Sequence, residues 1–152
     1  MSKNLNLAVK YFINNLNPCP LKLQKLLYFA QGMSFCANDK ELFSEDMEAW
    51  VHGPVVPDVY RSYMSYGREP ITTYYEEEPI PEDVLSVLDS VAKTYGKYDA
   101  KYLEKLTHDQ APWLYARSGL DPDERSDKTI PKDLISDYFI SMMFQPTAKD
   151  WE

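Results

Sequence analysis

The sequence predicts a mainly α domain (α+β), a compact set of about six to seven helices around a central helix, with a small antiparallel β element. Three observations lead there. Apolar residues recur at helical spacing in several separate stretches. One of those stretches is apolar on most of its sides, the pattern of a helix surrounded by others. Between them stand only short extended-type runs bounded by turn signals. The chain has 152 residues, which fits one domain. Residues 1–145 are read as that domain and 146–152 as a frayed tail.

The first helix is written by Leu5, Ala8, Val9, Phe12, Ile13 and Leu16, which share one face. Asn17 and Pro18 end it. The central helix covers residues 21–37, with the stripe Leu23, Leu26, Leu27, Ala30, Met33 and Ala37. Leu42-Phe43 and Glu48-Ala49-Trp50-Val51 are short extended candidates for a hairpin, which would need helices behind it to be stable. Gly53-Pro54 breaks the chain, and Pro57 opens a helix over 57–63. The β-branched and aromatic run Ile71-Thr72-Thr73-Tyr74-Tyr75 is a candidate third strand. Further helices are expected over 81–95, 100–107 and 111–117, and a last one from Pro131 with Leu134, Ile135, Tyr138, Phe139 and Met142 on one side. Residues 121–128 are polar and predict a mobile loop.

Composition narrows the function. The net charge is −8, which argues against a nonspecific nucleic-acid binder and favours a basic partner. Residues 1–37 hold Lys3, Lys10, Lys22 and Lys25 and no acid, so a local basic face on the first two helices is open. The sequence has 12 Tyr, 6 Phe and 3 Trp, which suit a core and equally an interface. Cys19 and Cys36 form no disulfide framework and no CxxC pair. No signal peptide or membrane-spanning run is visible, so a cytoplasmic protein without membrane contact is expected.

The residue patterns of catalysis are missing. His52 and His108 stand far apart in the chain with no ligand-spaced Cys, His or Glu around either, so no metal is expected. Cys36 sits in an apolar helix, where a thiol behaves as a small hydrophobe. Neither GxGxxG nor GxxxxGK[ST] occurs, and no cofactor is expected. The acidic runs lie in polar surroundings that leave carboxylates ordinary. No catalytic residue is assigned.

Residues 21–32, Leu-Lys-Leu-Gln-Lys-Leu-Leu-Tyr-Phe-Ala-Gln-Gly, and residues 48–60, Glu-Ala-Trp-Val-His-Gly-Pro-Val-Val-Pro-Asp-Val-Tyr, are two specific blocks. A weaker third runs through Leu103, Leu106, His108, Pro112 and Trp113. Together they resemble the Panacea domain family of SocA-like antitoxins and phage-associated GepA-like proteins, over roughly residues 5–140. One departure is His52, where many members carry Tyr. The DNA-binding domain that some members append is not seen. The resemblance implies a mostly helical fold. It also implies an antitoxin that binds and neutralises a protein toxin encoded by the adjacent gene. Two alternatives are an adaptor that hands the toxin to a protease and a phage-associated regulator.

Two readings of the central helix stay open. Lys22, Gln24, Lys25, Tyr28 and Gln31 lie off its apolar stripe, so they either contact the partner or are covered by the hairpin with Tyr28 hydrogen-bonded inside. Leu23, Leu26 and Leu27 are core. Gly53 and Pro54 are structural, fixing the turn that displays His52, Val55 and Tyr60 to a partner. Trp50 and Trp113 are expected as core anchors, and His108 is expected to bond across to the central helix.

Overall fold

The structure, a computed structural model, describes residues 1–143. The expected tail at 146–152 lies outside them. Helices α1 (Lys3–Leu16) and α2 (Pro20–Asn38) are followed by strands β1 (Met47–Trp50) and β2 (Gly53–Val55). Then come α3 (Pro57–Tyr63), a single 3-10 turn at Met64–Tyr66, α4 (Glu82–Tyr95), α5 (Ala100–His108), α6 (Ala111–Ala116), β3 (Thr129–Ile130) and α7 (Lys132–Met143). No helix among the described residues is long and apolar enough to cross a membrane.

Local chemistry starts and stops these elements. The Ser2 side chain caps α1 by accepting from Leu5 N, and Asp99 does the same for α5 at Tyr102 N. Pro20 stands in the first turn of α2, where its missing N–H costs nothing. Asn17 and Asp39 end α1 and α2 in the left-handed region, at φ 44° and 55°, a conformation short polar side chains tolerate.

Helix α2 is the centre of the fold. Helices α1, α3, α4, α5 and α7 and strand β2 all pack on it, so its polar residues Gln24, Lys25, Gln31 and Ser34 are buried along with its leucines. Phe29 of α2 stacks on Tyr95 at 3.9 Å between centroids. Gly32, one turn on, lets α7 close on the helix, because a Cβ there would overlap the Phe139 ring.

The sheet has the order β2-β1-β3, antiparallel throughout. Two expected strands are absent and two unexpected strands are present. The hairpin is built from Met47–Trp50 and Gly53–Val55, with Trp50 opposite Gly53, so Gly53-Pro54 belongs to the second strand and the turn is at Val51-His52. Leu42 and Phe43 are not a strand. Gln31 Oε1 accepts from their backbone N–H groups at 2.7 and 3.2 Å, and its Nε2 donates to Phe43 O at 2.9 Å. Nor is the run 71–75 a strand. Asn17 Nδ2 donates to Ile71 O at 3.0 Å, and Asn14 bonds both the N–H and the C=O of Tyr75 at 2.9 and 2.8 Å. Side-chain amides of α1 and its C-cap thus replace the neighbouring strand. The third strand is Thr129–Ile130, which pairs with Glu48 and Met47.

The 121–128 loop is anchored. Arg117, buried at 4% exposure, donates to Ala49 O and Asp121 O at 3.0 Å each and to Glu124 O. One guanidinium fork therefore ties the loop to the centre of the sheet.

Candidate interaction site

The three sequence blocks converge in space. The hairpin lies across α2 and the C-terminal half of α5, and each junction is a specific polar contact. Lys25 Nζ donates to Pro54 O at 3.1 Å. Gln24 Oε1 accepts from Val56 N at 2.8 Å. Tyr28 OH donates to Gln110 Oε1 at 2.8 Å, joining α2 to the α5–α6 corner. Trp113 Nε1 donates to Trp50 O at 2.7 Å, and His52 Nδ1 meets Glu104 Oε1 at 2.7 Å.

Gly53 makes this closeness feasible. Its φ is +112°, and a Cβ there would stand 2.9 Å from Thr107 Oγ1 and 2.5 Å from Lys25 Cε. The β2 backbone therefore rests directly on the Lys25 side chain, as only glycine allows.

The face of α2 expected to meet a partner is instead covered. Lys25, Tyr28 and Gln31 are buried, and so is Val55. Lys22 is half-buried, with Nζ donating to Gly96 O at the end of α4 at 2.7 Å, where a cation suits the helix C-terminus. The physical reason is geometric: the hairpin and the 40–43 segment close over this side of the helix and use its polar atoms as backbone partners. That arrangement matches the covered alternative, with Tyr28 hydrogen-bonded inside. It also removes the basic face that residues 1–37 could have formed, since Lys25 is buried and Lys10 pairs with Glu78 at 3.0 Å.

What the hairpin displays is smaller. The His52 side chain is 68% exposed. Residues alternate along β1, with Met47 and Ala49 buried and Glu48 and Trp50 partly exposed. Trp50 is thus no core anchor. Its ring meets Tyr60 edge-on at 5.3 Å, and its Nε1 donates to Glu48 Oε1 at 2.9 Å. The core tryptophan is Trp113, at 5% exposure, with His108 stacked on it at 4.1 Å and the Arg117 guanidinium 5.0 Å from its ring. His108 does not reach α2, and its Nε2 lies 3.7 Å from Glu104 Oε1. Two contributors escape sequence reasoning, Glu104 and Gln110. Glu104 sits in the middle of a short helix and Gln110 just past its end, and in neither place does anything local separate a buried acceptor from a solvated one.

Chemically, the site offers an amphipathic surface. Trp50, Tyr60 and His52 present two aromatic edges and an imidazole, and Glu48 and Glu104 supply carboxylates. No group of three or more His, Cys, Asp or Glu side chains is placed to hold a metal among the described residues. Burial pushes the Cys36 thiol up from its ordinary value, away from nucleophilic thiolate character.

The profile of the family described as "Antitoxin SocA-like, Panacea domain" matches residues 23–114. The chain belongs to the SocA-like Panacea family. The matched segment runs from α2 through the hairpin to α6, so it contains every element of the hairpin junction. A curated relative, Antitoxin SocA of Caulobacter vibrioides (strain NA1000 / CB15N), is 33% identical over 116 residues. That alignment covers 65% of this chain and 60% of the relative's length. No solved structure gives a significant match.

Proposed function

We propose that this Panacea-family chain is an antitoxin that binds and neutralises a protein toxin by direct contact, without a catalytic step, and that the outer face of the hairpin is the contact surface. The observation that carries the reading is the family match together with what its best-defined segment displays. The family blocks build a rigid seat, and the seat presents Trp50 and Tyr60, half-exposed and fixed against one another. Aromatic anchors of this kind dominate interface energies, and rigid ones lose little entropy on binding. The neighbouring gene is the natural source of the toxin.

Co-expression with the product of that gene tests this. The neighbour alone should arrest growth, and this chain should restore it while co-purifying with the neighbour. Trp50→Ala and Tyr60→Ala should each weaken the complex by roughly 2 kcal/mol, about thirtyfold, with an unchanged circular dichroism spectrum. A harmless neighbour that forms no complex defeats the antitoxin reading. Rescue accompanied by loss of the toxin from protease-proficient cells alone replaces neutralisation with delivery to a protease.

A further inference from the structure

The hairpin rests on ionisable groups drawn from three elements. Beneath β2 lies Lys25 of α2, 0% exposed. Its ammonium donates to Pro54 O at 3.1 Å and to no other acceptor among the described residues. Glu104 of α5 is 20% exposed at its side chain. From the hairpin turn, His52 bonds this carboxylate at 2.7 Å, and His108 stands 3.7 Å from the same oxygen. His108 in turn stacks on Trp113, whose indole N–H holds Trp50 O. One carboxylate therefore meets two imidazoles, and its charge also reaches the buried Lys25, at the line where hairpin and helices meet. Other ionisable groups around this junction are Cys19, at the start of α2, Arg117, beside the Trp113 ring, Tyr28, bonded to Gln110, and Glu48, bonded to Trp50.

We propose that this junction is a proton-operated seat for the hairpin: it holds the hairpin down while Lys25 and His108 are neutral, and releases it as these two bases take up protons beside one another. The regulatory half of the proposal, that toxin binding weakens with the seat, rests on the hairpin being the toxin-binding face. The seat itself does not.

The direction follows from burial. Burial pulls Lys25 down to about 7 and lowers His108 as well, while Glu104 opposes both shifts. A base whose folded value is depressed binds fewer protons in the closed form than in the open one. The closed form is therefore favoured as pH rises and disfavoured as pH falls through those values. At pH 6 a buried ammonium lacks two of its three acceptors, and a protonated His108 adds like charge beside it. Lifting β2 admits the water that the ammonium needs.

The first experiment is an NMR titration of the whole chain without partner, from about pH 9 to about pH 5.5, following the Lys25 Hε protons and the Gly53 amide. Lys25 should titrate near neutrality, and Gly53 should shift with it. In Lys25→Met the main Gly53 transition should vanish. A lysine that titrates near its ordinary value of about 10.4, or hairpin amides that do not move, overturns the seat. The wild-type titration decides this by itself, so the test stands even where a variant does not fold. The second experiment compares toxin affinity at about pH 8 and about pH 6. The wild type should lose roughly fivefold or more and Lys25→Met less than about twofold. A seat that titrates while toxin affinity stays constant overturns the coupling. If no toxin binds at either pH, the antitoxin reading of the hairpin fails, and the titration alone decides the seat.

Discussion

Lys25 and Gly53 make one unit. The lysine lies in the interior because glycine leaves room above it, and the glycine takes a left-handed backbone because the hairpin must bend over the lysine. A buried ammonium with one carbonyl partner is costly, and the cost shows in how far burial pulls Lys25 down, to about 7. The sign for stability follows. Between about pH 7 and about pH 10.4 the unfolded chain holds a proton on this lysine that the folded chain has released. Stability should therefore rise with pH across that window, with the full penalty present below it. Lys25→Met removes the penalty and loses one hydrogen bond to Pro54 O. Thermal melts should place the variant at or above wild type near pH 6, the gap closing toward pH 10. A variant that melts well below wild type at pH 6 would show that the ammonium stabilises the seat. Gly53→Ala should cost at least about 2 kcal/mol by the same melts, from positive φ and overlap with Lys25 together.

At the scale of elements, the long helices were legible because apolar residues recur at helical spacing in them, helices 57–63 and 100–107 because Pro57 and Asp99 signal their starts, and the centrality of α2 because it is apolar on most sides. The strands were legible only in part. Residues 48–51 read as a short extended run and overlap β1, but Thr129–Ile130 is two residues long and is a strand only because the edge of β1 lies beside it. Leu42-Phe43 and 71–75 looked like strands and pair with none, because their backbone partners are the side chains of Gln31, Asn14 and Asn17, which no local pattern announces. The same blindness applied to the site. Periodicity places Lys25, Tyr28 and Gln31 off the apolar stripe and cannot say whether water or a hairpin covers that side. Gln31 shows how much such a side chain contributes. Gln31→Ala would strand two buried N–H groups and one C=O, each worth about 1 kcal/mol or more when left unpaired. A loss of roughly 2–4 kcal/mol is expected, a fall in Tm of roughly 5–15 °C for a domain of this size. A change within about 0.5 kcal/mol would mean that the 42–43 segment holds itself in place.

Across the whole molecule, charge and fold act together. The net charge is −8, and folding sharpens it at the surface. Lys25 is withdrawn to the interior, Arg117 is engaged by backbone carbonyls, Lys22 is half-buried against the end of α4, and Lys10 is paired with Glu78. By contrast, Glu76, Glu77 and Glu82 and the acidic residues of the 121–127 loop stay at the surface. A basic protein approaching this molecule is drawn in from a distance, and a phosphate backbone is repelled. Electrostatic steering acts on the encounter more than on the docked complex. It is screened once the Debye length, about 10 Å at 0.1 M salt, shrinks below the separation of the charges. For the proposed toxin complex this yields a kinetic prediction. Stopped-flow association should slow by roughly tenfold between low salt and about 0.5 M NaCl, while dissociation changes by less than about twofold. Dissociation that accelerates instead would place charge pairs inside the interface, and would move the contact from the Trp50–Tyr60 face toward the acidic loop that Arg117 anchors.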